Sequence, residues 1–535
     1  MAALAQTLLN FMRAPGARSS VAAVAALPAA SVSCSHTFAE SDLARLHRLE
    51  SGGVDEPTWQ GMLMAPYFER LTAAASIFGK QQLYRDLRHG LADEERAALV
   101  TRLTRLEEPP GRQALEPVLA PLRAADTELS AMLFEARLPL VPAWAGKCWL
   151  LFAGLSLSVA AVAWSPLAWL AALFFLFQMV TLQARYHSII DVWDRQRASL
   201  QLLLRTCSLA AGSAHPALAA FAALGRQAGR YNRALNRSPL QSLSIVGAYL
   251  DWFLQANVEH YFRSVRLVRN EQAFLQQCFH LCARLDADFT LARHRADSAT
   301  CWAQHAREVR LHAAVHPLLA APLALSITLN GGGAFISGQN GVGKSTLLRT
   351  VGINLLTARA FGFCYAASAQ CPMSAVWASM QSEDSLLGGA SLYVAELQRA
   401  RELLKAAAQG GDDGAIFIID EIFRGTNHLE SVSSAAAVVD ELAFGHMVLV
   451  SSHNLVLGSL LAHRLTPLCV ARDEGGALVL RPGLLNTTNG IALLAQHGFG
   501  GAIDAKARSV FAWLETFLAR PPGGAALLAQ WDRAA

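Results

Sequence analysis

Charge is scarce in this chain. Of its 535 residues, 16% are Asp, Glu, Lys or Arg and 53% are hydrophobic. Soluble domains carry about 25% charged side chains. The mean hydropathy of +0.28 has two sources in the sequence: Ala and Leu spread through many helices, and one stretch suited to lipid. Excess charge of one sign is also missing. A net +4 gives no bulk argument for nucleic acid, so any such argument must come from local clustering. A zinc pattern is absent as well. Nine Cys are scattered along the chain, and Cys278 and Cys282 flank His280, but no second pair stands at a zinc-site spacing. They read as reduced thiols. Repeats and low-complexity tracts are lacking too, and the length calls for two to four domains.

The longest absence of charge organises the middle of the chain. Cys148 to Leu182 holds no charged residue over 35 positions. One membrane-spanning helix needs about 20 residues, and Trp164-Ser165-Pro166 interrupts the run. Two halves of about 16 residues would each rise roughly 24 Å. Trp149, Trp164 and Trp169 stand where interfacial anchors belong. Lys147 precedes the run and Arg185, Arg195 and Arg197 follow it, while the turn carries no Lys or Arg. That asymmetry places both ends in the cytosol. A fully buried soluble hairpin is the alternative.

On either side, residues 36–146 and 186–315 read as mostly helical. Leu43, Leu46 and Leu49 share a helix face, Leu91 to Leu106 is a further helix, and Pro109-Pro110 breaks it. Arg226, Arg230, Arg233 and Arg237 recur at four, three and four residues and form one basic stripe on a helix. Arg263, Arg266 and Arg269 form a shorter one. Such a stripe suits DNA phosphates, anionic headgroups near the hairpin, or a plain solvated face.

The pattern changes near His316-Pro317. Leu323 to Leu329 alternates like a strand, and Ala334 to Ser337 reads as a buried one. It runs into Gly338-Gln339-Asn340-Gly341-Val342-Gly343-Lys344-Ser345-Thr346, followed by a helix from Leu347 to Ala360. Strand, glycine-rich loop and helix in this order make a phosphate cradle. Backbone N–H groups point inward and the helix adds its positive end. Lys344 is expected on the β- and γ-phosphates, and Ser345 on Mg²⁺. Ala415 to Ile419, with Asp420 76 residues beyond Lys344, is a second buried strand ending in Asp420 and Glu421. Asp420 is expected to hold the metal and Glu421 to act as general base on water. A third strand, Met447 to Ser452, ends at His453, which is placed to meet a γ-phosphate. The set implies ATP with Mg²⁺. All four of Lys344, Ser345, Asp420 and Glu421 are present, which argues against a dead scaffold.

Together these residues resemble the MutS family, a branch of the ABC-type ATPases. Asp420 to Asn427 is similar to the family's D-E-x-G-R-G-T-S run, Ser452-His453 to its T-H pair, and Gly338 to Thr346 to its G-P-N-x-x-G-K-S-T loop, with Asn340 in place. Gly389 to Leu397 resembles G-R-S-T-F-x-x-E-M, and Asn489 to Ala492 resembles part of Y-G-I-x-V. Gln339 stands in place of the loop Pro, and Phe423 in place of a Gly. The resemblance covers residues 316 to about 505. It implies paired ATPase domains in a homodimer, with Ser391 reaching the partner's nucleotide. Upstream, Asp55 to Phe68 with Gly79 and Leu83-Tyr84 is similar to the start of the MutS helical core. A segment before residue 50 long enough to read mismatches is not found.

The expected architecture is an α/β P-loop ATPase domain of ABC/MutS type at the C-terminus, and a helical core interrupted by a transmembrane hairpin. By residue this is a leader 1–35, helical core 36–146, hairpin 147–185, helical lever 186–315, ATPase domain 316–505 and helical tail 506–535. The leader, with Arg13, Arg18 and the apolar run Val21 to Ala30, weakly imitates a secretory signal. An exported ATPase would find no ATP, so the expected site is the cytoplasmic membrane with both soluble parts in the cytosol. Two functions follow. In one, ATP closes a dimer coupled to DNA binding. In the other, a membrane-tethered ATPase acts on a protein or membrane partner without DNA. Leu387-Gly388-Gly389 loosely suggests a transporter subunit, but one hairpin supplies too little membrane structure for a pathway.

Overall fold

The computed structural model describes residues 37–135, 138–380, 392–409, 414–473, 477–485 and 501–517. The expected leader, Ser391, the Leu387-Gly388-Gly389 triplet and the Asn489 to Ala492 run lie outside the described residues. From Glu40 to Asp297 the described elements are helical; from Cys301 strands and helices alternate.

Local sequence explains the helix starts. Asp55 caps Glu56–Gly61, its carboxylate accepting from Thr58 N at 3.1 Å, and Ser76 caps Ile77–His89. Each satisfies an amide that a helix start leaves without an internal partner. Pro109 ends one helix but also opens the next, Pro109–Arg123. A first-turn Pro loses no hydrogen bond and brings the right φ, so it acts here as an initiator as well as a breaker.

The uncharged run forms two helices, Trp149–Ala161 and Ala168–Ala211. The second does not stop at residue 185. It continues unbroken into the helical core, where Leu200, Leu203, Leu204 and Cys207 are fully buried. Earlier along the same helix Leu170, Leu173, Phe174 and Phe177 are exposed, as are Leu157, Trp164 and Leu167. The hairpin's apolar surface is therefore not spent on the protein's own core, as a buried soluble hairpin requires. Among the described residues one helix, Ala168–Ala211, is long and apolar enough to cross a membrane, by length and composition.

Two sequence expectations are corrected. Helix was expected through residue 315, yet Cys301–His305 (β1) and Val309–Ala314 (β2) are strands. In β2, Val309 and Leu311 are buried while Arg310 and His312 face out, a period-two pattern that outweighs the helix preference of the Ala and Arg around it. The four-arginine stripe shrinks to three. Arg226, Arg230 and Arg233 are exposed on Gly225–Ala234. Arg237 lies past that helix and is paired with Asp251 at 3.1 Å and Asp194 at 3.4 Å. The second stripe is thinned too, because Arg269 donates to the carbonyls of Leu138 and Pro139.

The remaining strands are β3 (Leu325–Leu329), β4 (Gly333–Gly338), β5 (Phe363–Cys364), β6 (Ser368–Cys371), β7 (Ala375–Ser379), β8 (Ala415–Asp420), β9 (Met447–Ser451), β10 (Thr466–Arg472) and β11 (Leu478–Pro482). A five-stranded mixed sheet has the order β3-β2-β6-β1-β5, and a six-stranded sheet the order β11-β10-β4-β9-β8-β7. In the second, β10, β4, β9, β8 and β7 run parallel and β11 is an antiparallel edge. Its central strands are apolar almost throughout because both faces are covered. Ala334 and Ile336, Ile416 and Ile418, and Met447 and Leu449 join the core shared with Lys344–Phe361 and the helical region. Phe335, Phe417, Ile419, Val448 and Val450 face the opposite core, with His428–Leu442.

The helical region grips this sheet at its β7 edge. Ala378 N donates to Thr58 Oγ1 at 2.8 Å, and Arg399 Nη2 donates to Ala378 O at 2.6 Å. Arg399 also pairs with Asp55, and Arg349 Nε donates to Gly61 O at 3.0 Å. An edge strand left open invites pairing with another chain; here the helix Glu56–Gly61 closes it.

Candidate active site

Parallel register brings the chemistry to one end of the sheet. Asp420 on β8 lies opposite Ser451 on β9, and Ile336 on β4 lies opposite Ser451 on the other side. The three strands thus deliver the loop after Gly338, the pair Asp420-Glu421 and the segment Ser452-His453 together. Ligands of open α/β sheets bind at this carboxyl end.

The loop after β4 turns at Gly341, φ +75°, and Gly343, φ +112°. Both are left-handed values that a side chain resists. Gly343 then opens the helix Lys344–Phe361. Lys344 is folded back, its Nζ donating to Gly338 O at 3.0 Å and Gln339 O at 3.2 Å. Burial holds its pKa below the usual lysine value, while Glu421 and Asp420 oppose that shift. Ser345 and Thr346 are half-buried in the first helical turn, and Asn340 and Gly341 are exposed on the loop.

Asp420 is buried and accepts from Ser451 Oγ. Glu421 follows at φ +58°, its amide donating to Ser451 O at 3.0 Å. One carboxylate oxygen lies 2.7 Å from His453 Nε2 and the other 3.3 Å from Arg424 Nη1. The His453 hydrogen bond, with the nearby positive groups, holds Glu421 below the usual glutamate range although burial pushes the other way. His453 itself is half exposed, at the open mouth of the cluster.

Three supporting residues had no role in the sequence reading. Ser451 orients Asp420. Arg424 holds the second oxygen of Glu421. Glu396, on the helix Leu392–Ala408, accepts from Gly425 N at 3.2 Å and lies 3.7 Å from Arg424 Nε. A Cβ at Gly425 would stand 2.6 Å from Tyr393 N, so a glycine is needed for this helix to approach. The signal for Glu396 and Arg424 lay in the motif runs that contain them; Ser451 carried none beyond ending its strand.

Residues 334–470 match the family model of MutS domain V. The chain thus carries a domain of the MutS family over these residues. Among curated relatives, "DNA mismatch repair protein MutS" of Thermus aquaticus is 31% identical over 195 residues, 35% of this chain and 23% of that protein. The protein of the same name from Thermus thermophilus is 25% identical over 272 residues, 49% of this chain and 33% of its own length. That of Sorangium cellulosum is 28% identical over 198 residues, covering 35% and 21%. The chain thus spans a third or less of these relatives. Domain V of MutS is an ATPase-type α/β domain, in keeping with the mixed sheets here, and the region before it is mostly helical. At the position where the MutS run has Gly, Phe423 keeps a left-handed φ of +58° and buries its ring beside Tyr393, centroids 6.0 Å apart.

Proposed function

We propose that residues 316–505, together with β1 and β2, form a MutS-like module with a P-loop fold that binds and hydrolyses ATP with Mg²⁺. The observation that carries it is the convergence of Lys344, Asp420, Glu421 and His453 at one end of a parallel sheet, with Glu421 and His453 2.7 Å apart. The residues fit a magnesium polyphosphate. An ammonium hydrogen-bonded to two loop carbonyls can turn to phosphate oxygens. Gly341 has open space where a Cβ would stand, leaving room for close approach. Two adjacent carboxylates supply the negative charge a divalent cation requires.

In this reading Gly338, Asn340, Gly341, Gly343 and Thr346 line the phosphate groove, Lys344 neutralises the outer phosphates, and Ser345 and Asp420 hold the metal. Bound Mg²⁺·ATP would supply the electrophilic phosphorus and the leaving group. Ser451 fixes the rotamer of Asp420. Glu421, held at low basicity by His453 and Arg424, orients water as it stands; it gains strength as a base when His453 turns outward to phosphate. Ser391, outside the described residues, is proposed to reach a partner's nucleotide in a homodimer, as the MutS resemblance implies.

The hairpin 147–185 is proposed to anchor the chain in the cytoplasmic membrane, splitting a helical core of residues 36–146 and 186–315; its exposed apolar side chains support this. Nucleotide-driven closure is proposed to couple to DNA, on the strength of relatives named for DNA mismatch repair. Arg226, Arg230 and Arg233 are the candidate phosphate contacts. The loss of Arg237 to ion pairs favours keeping the second reading, action on a protein or membrane partner without DNA.

The test is ATP turnover by detergent-solubilised full chain, with and without duplex, mismatched and branched DNA, beside Glu421→Gln. The variant is expected to retain ATP binding and lose about 10²-fold or more of turnover, the usual size of a general acid–base contribution. Turnover unchanged in Glu421→Gln rejects the site. Turnover that DNA does not alter keeps the ATPase and moves the function to the membrane or protein partner.

A further inference from the structure

The segment Pro239 to Phe253 holds a single charged residue, Asp251, in fifteen positions. It folds as a short turn of helix, Pro239–Ser242, and then Ser244–Phe253. Its polarity is inverted for a helix on a water-facing surface. Ile245 is 73% exposed and Tyr249 63%, with Val246, Phe253, Leu240 and Leu243 exposed beside them. At about 100° per residue, positions 245, 246, 249 and 253 fall within one arc of about 100°. Asp251 points the other way. It is buried and paired with Arg237 at 3.1 Å, which is itself 3.4 Å from Asp194 on the long helix Ala168–Ala211. A surface helix in water turns its charge outward and its apolar stripe inward.

The position of this helix fixes its surroundings. Phe253 packs edge-on against Phe152, ring centroids 5.6 Å apart, and Phe152 lies one turn into the first hairpin helix. Gln183, the residue after the uncharged run, donates to Asp251 O, and its amide exchanges hydrogen bonds of 2.9 and 3.0 Å with Asn257. Both ends of the uncharged run thus meet the C-terminal end of Ser244–Phe253. If that run enters a bilayer, this helix lies at the depth where it enters, with its apolar face continuous with the hairpin's.

We infer that Ser244–Phe253 is a third membrane element, an amphipathic helix lying in the headgroup–acyl boundary beside the hairpin, with lipid as its occupant; the inference rests on the membrane reading of the hairpin. Such helices bury one apolar face roughly 5–10 Å into that boundary. The chain of pairs from Asp251 through Arg237 to Asp194 ties this helix to Ala168–Ala211, which runs unbroken from the hairpin into the helical core.

The test reconstitutes the full chain in vesicles of phosphatidylcholine and phosphatidylglycerol. Photoreactive p-benzoylphenylalanine is placed, one at a time, at Tyr249, at Leu173 in the hairpin, and at the exposed Leu429 of the C-terminal domain. After irradiation, adducts are read by mass. Lipid adducts at 249 and 173 and none at 429 are expected. Adducts at 173 without any at 249 overturn this inference and leave the hairpin standing. No lipid adduct at either position removes both. A protein–protein crosslink at 249 in place of lipid overturns the inference and makes the face an interface between copies.

Discussion

Phe423 carries a backbone cost that its packing offsets. A left-handed φ costs an ordinary residue roughly 1–2 kcal/mol, and the MutS run avoids this with Gly. Here the ring is fully buried in the core beneath His428–Leu442. Phe423→Ala should therefore lose about 3–5 kcal/mol, the usual range for a buried Phe. Phe423→Gly should be less damaging than Phe423→Ala by about 1 kcal/mol, because Gly accepts φ +58° without strain. Denaturant midpoints of the two variants check this; Gly falling below Ala would reject the left-handed backbone. Glu421, two residues earlier, shares the same φ, and strain of this sort gathers where a side chain is held for chemistry. His453 is the first cause of the low pKa of Glu421. His453→Ala should therefore raise the pH at which turnover falls on acidification, moving that limb toward the ordinary glutamate value. A pH–rate profile with an unmoved acid limb would show that His453 does not act on Glu421.

Among the elements, the β7 edge makes the sharpest prediction. Thr58 is fully buried and accepts from Ala378 N. Thr58→Val keeps the shape and removes the acceptor. The amide left without its partner should cost about 1–3 kcal/mol, seen as a lower unfolding midpoint, and amide exchange at Ala378 should quicken. Unchanged exchange would show that the helix Glu56–Gly61 does not close the edge. This seam also marks the limit of what one sequence tells. β4, β8 and β9 were legible because burial on both faces leaves an unbroken apolar run. The run Gly338 to Thr346 was legible as a loop between strand and helix, which it is, because its glycines stand at the spacing that a phosphate-binding loop has. β1 and β2 were missed because they are short: β1 shows no alternation of burial, and that of β2 rests on Val309 to His312 alone. Thr58, Arg399 and Glu396 were missed as partners because they join segments far apart in the chain, and local periodicity cannot see such pairs.

At the scale of the whole molecule, one apolar core runs from the first helices into the sheet, and titratable groups lie in it or at its margin. Burial pushes His47, His260 and His294 down to about 4, and lowers His280 and His316 as well. Unfolded histidines titrate near 6.5. Each therefore contributes stability that is present above about 6.5 and lost as the pH falls from there through the folded value. Asp86 works against them. Burial raises it to about 6, so its contribution is present at low pH and lost as the pH rises through 6; Asp286 and Asp288 are raised too. His47, His260 and His294 thus predict destabilisation as the pH falls from about 6.5 toward 4, with Asp86 opposing it below about 6. His260 is the cleanest probe, because its Nε2 is buried with no hydrogen-bond partner among the described residues, with Arg197 and Arg237 adding to the cost of a proton and Asp194 opposing them. His260→Leu removes the titrating ring and keeps an apolar side chain in its place. Urea midpoints of the detergent-solubilised chain, followed from about pH 7 to 4.5 across that window, should fall less steeply for this variant than for the parent. Identical slopes would mean that His260 is not buried as a neutral ring, and the acid sensitivity would have to arise elsewhere in the core.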